Sequence, residues 1–282
     1  MKRLLMATDL SARSDRALER ALALAKELEA SLTLVHVVEE GLPARLADAQ
    51  AEAARQALRD QVARLTEGEG PAVSIEVLFG RAYMDIVALS EKLESDLFVL
   101  GVHRRDALLD MFRGTTAERV IRAGNVPVLL AKEPVVGPYR RILVGVDFSV
   151  YSRRAVEFAV KFVPHGEFHL VHAYDVPFKS LLARPGGRRE ISKQHQMEFD
   201  RMVDGEMARF LASLEASTPK LERVLQEGMV REVIYRQIER LKPDLLVIGT
   251  HGRTGVAHAF LGSVAEDLLR DPPCDVLAVK AW

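Results

Sequence analysis

The chain has 282 residues, 48% of them hydrophobic and 28% charged, and a formal net charge of −1. At about 100–200 residues per domain the length suits two domains, and the near-neutral balance removes any bulk attraction to nucleic acid or anionic lipid. The single cysteine, Cys274, excludes an internal disulfide and a cysteine-based zinc site, as in a reducing compartment.

From the N-terminus, short apolar runs alternate with longer amphipathic ones, the pattern of a parallel sheet with crossover helices. Arg3–Thr8 reads as a strand; Asp9 cuts this apolar run too early for an export segment. Ser11–Ala30 reads as a helix, with Ala17, Leu18, Ala21, Leu24, Ala25 and Leu28 on one face. Leu32–Val38 is a strand, Ala44–Leu65 an Ala-rich helix ended by Gly68 and Gly70, Val73–Phe79 a strand and Ala82–Leu93 a helix. Leu97–Gly101, a helix from Gly114 to Ala123, and a closing strand over Val126–Ala131 complete the first half. The order then repeats, with strands over Arg141–Val146, Glu167–Tyr174, Leu221–Gln226, Leu245–Gly249 and Asp275–Val279. The fold class expected is α/β, as two tandem domains over residues 1–134 and 138–282. A short exposed linker of two prolines and a glycine joins them at Glu133–Pro138. No run reaches the ~18 apolar residues of a membrane span, so the expectation is a cytoplasmic protein with no membrane or nucleic-acid partner.

The halves are copies. Asp96-Leu97-Phe98-Val99-Leu100-Gly101 recurs 148 positions later as Asp244-Leu245-Leu246-Val247-Ile248-Gly249, and Gly114-Thr115 recurs as Gly262-Ser263. Asp9 and Asp147 are 138 positions apart and His36 and His172 are 136 apart, so the second half carries 12 extra residues between its second and third strands. Their expected place is Asp175–Arg189, which holds Lys179, Arg184, Arg188 and Arg189. It reads either as a solvated loop or as a lid over a bound anion.

In an open parallel sheet, ligands sit at the carboxyl ends of the strands, where strand order reverses. Asp9-Leu10-Ser11 and Asp147-Phe148-Ser149 end the first strand of each half; the Asp carboxylates suit a base amino group or a ribose hydroxyl, or else Asp and Ser simply cap the next helix. His36 and His172 lie late in the second strands, where a buried structural role competes with that of a ligand, and Val37 and Ala173 beside them would form an apolar wall. The sharpest signal is G-x2-G-x9-G-S over Gly249, Gly252, Gly262 and Ser263. Glycines let backbone approach a phosphate, and the helix opening at Ser263 offers free amides and a positive dipole end. The first copy has Arg104 in place of the second glycine.

These residues resemble the universal stress protein family, whose nucleotide-binding members carry G-x2-G-x9-G-(S/T) after the fourth strand; the closing strand Pro127–Ala131 and, more loosely, Asp275–Val279 match as well. The resemblance spans both halves. It implies a Rossmann-like fold, similar to adenine nucleotide alpha hydrolases, with five parallel strands per half in the order 3-2-1-4-5, and a site for ATP or a related nucleotide such as ADP or AMP. By this resemblance Asp147 and Ala173 contact adenine or ribose, while Gly249, His251, Gly252, Gly262, Ser263 and Val264 surround ribose and phosphates. The matching set in the first half is Asp9, Val37, Gly101, His103, Arg104, Gly114, Thr115 and Thr116, where Arg104 either fills the phosphate space or pairs with a phosphate.

No lysine closes the loop in the P-loop manner, and no acidic pair is placed for magnesium, which would arrive with ATP. A nucleotide-dependent stress regulator is therefore favoured over a fast enzyme; the alternatives are a slow ATPase or self-phosphorylating protein, and an interaction module with vestigial sites. The fifth strands lie at sheet edges, which invite pairing, so an intramolecular pseudo-dimer is expected, with Trp282 packing near it. A homodimer and an unidentified protein partner stay open.

Overall fold

The computed structural model of the chain describes residues 1–67, 69–102, 116–176, 189–214, 219–251 and 261–280. In the first half the elements run β1 (Arg3–Ala7), α1 (Ala12–Glu27), β2 (Ser31–Glu39), α2 (Ala44–Thr66), β3 (Val73–Gly80), α3 (Ala82–Lys92), β4 (Leu97–Gly101), α4 (Thr116–Ala123) and β5 (Val128–Ala131). The second half repeats them as β6 (Arg141–Gly145), α5 (Val150–Phe162), β7 (Glu167–Tyr174), α6 (Arg189–Ala212), β8 (Leu221–Glu227), α7 (Val230–Leu241), β9 (Leu245–Gly249), α8 (Ser263–Arg270) and β10 (Asp275–Val279). The helix expected from Gly114 is described from Thr116 onward. The extra residues of the second half fall mainly between Tyr174 and Arg189; the basic residues Lys179, Arg184 and Arg188 there, like Trp282, lie outside the described residues.

Both halves keep the order 3-2-1-4-5, and they join into one ten-stranded sheet, β3-β2-β1-β4-β5-β10-β9-β6-β7-β8. Pairing is parallel within each half and antiparallel at the β5–β10 seam. The central strands are apolar and buried on both faces, as strands covered by helices on either side must be. One core cluster lies under α1, α2, α5 and α6, through Leu18, Leu58, Val156 and Met207. The other lies under α3, α4, α7 and α8, through Ile86, Ile121, Ile234 and Leu268.

The seam is a local two-fold. Leu129 pairs with Leu277, flanked by Leu130–Val276 and Val128–Ala278, so residues separated by 148 positions exchange partners about one axis, the signature of an isologous contact. Arg122 faces Glu266 at 3.7 Å and Arg270 faces Glu118 at 3.7 Å, again reciprocal pairs. Lys132 Nζ donates to the Pro272 carbonyl at 2.8 Å and Lys280 Nζ to the Gly124 carbonyl at 3.0 Å.

One part of the junction has no counterpart. Asp275, fully buried, accepts the Tyr139 hydroxyl at 2.6 Å and the amides of Lys132 and Glu133 at 2.8 and 2.9 Å. Arg20 of α1 lies 3.3 Å from its carboxylate and 4.3 Å from the centre of the Tyr139 ring, and donates to the Gly137 carbonyl at 3.0 Å. Burial pushes the Tyr139 hydroxyl well above its ordinary pKa, with Asp275 adding to the shift. The linker is thus exposed at Val136 but anchored at Tyr139.

Candidate functional site

The second half holds a cavity of about 300 Å³ at the carboxyl ends of β6, β7 and β9. It opens where neighbouring strands cease to pair. β6 and β9 are paired as far as Val144 and Val247, and Gly145 and Ile248, one step past the last pair, line the crevice at the switch point of the sheet order. The apolar walls are Val146, Val171, Ala173, Val230, Ile234 and Ile248, and the polar groups are Asp147, Ser152, His172, His251 and Ser263.

Asp147, His172 and His251 are held from behind. Asp147 Oδ1 accepts the Ser149 amide at 3.0 Å and its hydroxyl at 2.6 Å. Ser149 also caps α5, accepting from the Ser152 amide at 3.2 Å. The capping reading of the Asp-x-Ser segment holds for Ser149, while Asp147 braces the turn and lines the cavity. His251 Nδ1 lies 2.9 Å from Thr250 Oγ1, and its ring stands against Tyr151 with centroids 5.0 Å apart. His172 Nδ1 lies 2.8 Å from the Val146 carbonyl.

The floor is the start of α8. The Gly262 amide donates to the Thr250 carbonyl at 3.0 Å, and the Gly262 carbonyl takes the first helical bond from Glu266 at 2.9 Å. As N-cap, Gly262 provides no side-chain cap, so the amides that follow it belong to the first turn, whose donors have no partner within the helix. Gly262, Ser263, Val264 and Ala265 line the cavity. Gly249 has a steric duty besides: a Cβ there would lie 3.2 Å from the Tyr151 backbone carbon, so a side chain would crowd α5 where β9 passes under it. Gly101 is in the same position against α1, 3.1 Å from the Arg13 carbonyl oxygen.

Asp147, Ala173, Gly249, His251, Gly262, Ser263 and Val264, singled out from the sequence, thus line one cavity; Gly252 lies outside the described residues. In the first half Asp9 follows β1 by two residues, Val37 lies near the end of β2, Gly101 ends β4 and Thr116 opens α4, whereas His103, Arg104, Gly114 and Thr115 lie outside the described residues. Asp9 Oδ1 accepts the Ser11 amide at 2.9 Å and the Ser14 hydroxyl at 2.5 Å, and Ser11 makes no side-chain cap. Sequence reasoning passed over Val230 and Ile234 of α7 and Ser152 of α5; their signal was an ordinary helical periodicity that marks burial, not a site. Among the described residues no group of three or more His, Cys, Asp or Glu gathers to hold a metal, and no helix is long and apolar enough to cross a membrane.

Comparison with known proteins agrees with this architecture. The model of the universal stress protein family matches residues 1–132 and again 138–280. Universal stress protein E of Salmonella typhi is 28% identical over 242 residues, 79% of this chain and 73% of that protein. The Escherichia coli K12 protein of the same name is also 28% identical, over 66% of this chain and 60% of its own length. A crystal structure of a universal stress protein from Archaeoglobus fulgidus superposes with a TM-score of 0.68 at 23% identity, covering 99% of this chain and 98% of the other. The chain belongs to the universal stress protein family.

Proposed function

We propose that this universal stress protein binds ATP or a related adenine nucleotide in the second-half cavity and acts as a nucleotide-dependent regulator in the stress response. The observation that carries the reading is the coincidence, in one cavity, of apolar walls at Val146, Val171 and Ala173, a carboxylate at Asp147, and the open first turn of α8 at Gly262–Ala265. A purine fits the apolar end, ribose hydroxyls are donors to Asp147, and phosphates meet backbone amides and the positive end of a helix dipole. Among the described lining residues Asp147 is the one carboxylate, so magnesium would enter on the phosphates of ATP. Phosphoryl transfer wants metal, nucleophile and charge stabilisation together, and this lining favours holding over turnover.

Occupancy has a route outward. α8 begins in the cavity and carries Glu266 and Arg270, which pair with Arg122 and Glu118 of α4. The halves then behave as an intramolecular pseudo-dimer whose seam responds to ligand. Cys274, buried beside the seam with its thiol pushed up to about 12 by burial and by Asp275, is an inert core residue, in keeping with a cytoplasmic setting.

The test is retained nucleotide, identified by mass spectrometry after denaturing freshly purified protein, followed by titration calorimetry with ATP, ADP and AMP. Micromolar binding that is lost in Gly262→Asp, which places a carboxylate in the phosphate path, is the expected result. Absence of any adenine nucleotide binding would defeat the reading, and phosphate release above the level of Ser263→Ala would replace a regulator with an enzyme.

A further inference from the structure

One wall of the cavity is held by a side chain outside the glycine motif. β6 and β7 pair as far as Gly145 and Val171, and the Val146 amide adds a last bond to the Val171 carbonyl at 2.9 Å. The strands then diverge: β7 continues to Tyr174 against β8, while the chain after Val146 turns through Asp147 and Phe148, the latter at φ 63°. The Val146 carbonyl, left past the end of the ladder, is met by His172 Nδ1 at 2.8 Å. A carbonyl only accepts, so Nδ1 carries the proton. Phe148 covers the imidazole, with ring centroids 4.1 Å apart. The bond therefore ties the residue before Asp147 to the residue before Ala173.

The first half makes the same brace. The Thr8 amide donates to the Val35 carbonyl at 3.0 Å, His36 Nδ1 lies 2.9 Å from the Thr8 carbonyl, and Leu10 at φ 60° stands where Phe148 does. A histidine so placed is structural in origin, yet in the second half the two strand ends that it joins are two walls of a cavity.

We propose that His172 is a positioning residue of the nucleotide site: its Nδ1–H bond to Val146 sets the spacing of Asp147 and Ala173 for the ribose and the base. The inference rests on the nucleotide reading given above. Past the last ladder bond between them, the end of β6 is free to splay from β7, which β8 still holds, and a binding constellation loses affinity when its supports let it drift by a fraction of an ångström. His36 is a built-in control, since it makes the same bond away from this cavity.

The test is ATP titration calorimetry on the full chain, with Gly262→Asp identifying which isotherm belongs to the second half and thermal unfolding run on each variant. His172→Phe keeps a ring but loses the donor, and weakens second-half binding about tenfold, the scale of one lost hydrogen bond. His172→Asn, whose amide reaches about as far as Nδ1, restores most of it. His36→Phe lowers the unfolding midpoint like His172→Phe but leaves second-half affinity unchanged. Should His172→Phe fail to fold, His172→Gln, with its donor one carbon further out, takes its place and weakens binding in the same way. Wild-type affinity in a folded His172 variant that lacks the Nδ1-like donor, or equal weakening by His36→Phe, overturns the proposal. A wild-type chain that binds no adenine nucleotide overturns the nucleotide reading itself, and this inference with it.

Discussion

The two strand-end crevices differ by one pair of residues. In the first half β1 and β4 stay paired through Ala7 and Leu100. In the second, pairing of β6 with β9 stops one step earlier, at Val144 and Val247, and the counterparts Gly145 and Ile248, one step past the last pair, line the cavity. The Asp tether differs as well: Ser14, three residues beyond the N-cap of α1, holds Asp9, whereas the N-cap serine itself, Ser149, holds Asp147. A duplicated fold diversifies most cheaply at such margins, because one strand pair more or less leaves both core clusters intact.

The strongest way to break this comparison acts at the seam, where the halves are most unlike. Pro127 is the counterpart of Asp275, and only Asp275 gathers Arg20, Tyr139 and the linker amides. Removing one member of a buried pair strands the other, at a cost of about 3–5 kcal/mol. Asp275→Ala should therefore lose about that much in urea unfolding, and Pro127→Ala far less; equal losses would mean that the linker lock is idle. Next in size are the two β-strand glycines. Gly249→Ala and Gly101→Ala each press a Cβ onto helix backbone at about van der Waals contact or closer, and should each cost about 1–3 kcal/mol. Only Gly249→Ala should also weaken ATP binding.

The strand-pair difference can be tested by exchange. Ala7→Gly should destabilise by about 0.5–1 kcal/mol, the ordinary entropic cost of glycine in a strand. In Gly145→Ala the new Cβ meets Ile248 at 3.7 Å, an ordinary contact, so the same entropic argument predicts a gain of up to about 1 kcal/mol. The methyl enters the cavity nonetheless, and ATP affinity measured by calorimetry should drop severalfold while the unfolding midpoint does not fall.

The fold was largely legible because its signals are local and doubled. Fully apolar runs such as Leu97–Gly101 and Leu245–Gly249 announce strands buried on both faces, and the offset of 148 positions from Asp96 and Asp244 onward ties the halves together. Asp147, Ala173 and Gly249 followed from strand ends, where a topology rule converts sequence position into place, Gly262 and Ser263 from the glycine motif, and His251 and Val264 from the family resemblance. What stayed hidden was non-local. Nothing in the spacing of Arg20, Tyr139 and Asp275 marks them as one buried cluster, since they come from a helix, a linker and a strand. Nor does an apolar run show where a strand pair stops, so the end of pairing before Gly145 and Ile248 leaves no trace in composition.

The last test concerns the scaffold the crevices share. Asp96 accepts the amides of Lys2 and Arg3 at 2.6 and 2.9 Å, and its counterpart Asp244 accepts those of Arg140 and Arg141 at 2.9 and 2.8 Å. Each carboxylate ties the entry of the fourth strand to the entry of the first. Asp96→Ala and Asp244→Ala should each cost about 1 kcal/mol, and the two should agree, because the entry ends match where the exit ends do not. Burial raises the Asp96 pKa, but the two amides together with nearby positive charge more than offset it and hold the carboxyl below its ordinary value. A depressed folded pKa gives stability that is present above the unfolded value of about 3.9 and is lost as pH falls through the folded one. The stability gap between wild type and Asp96→Ala should accordingly stay constant from pH 5 to about pH 8 and narrow below about pH 4. A gap that persists undiminished into strong acid would mean that Asp96 contributes by packing and not as an acceptor, and the shared entry-end tether would have to be sought elsewhere.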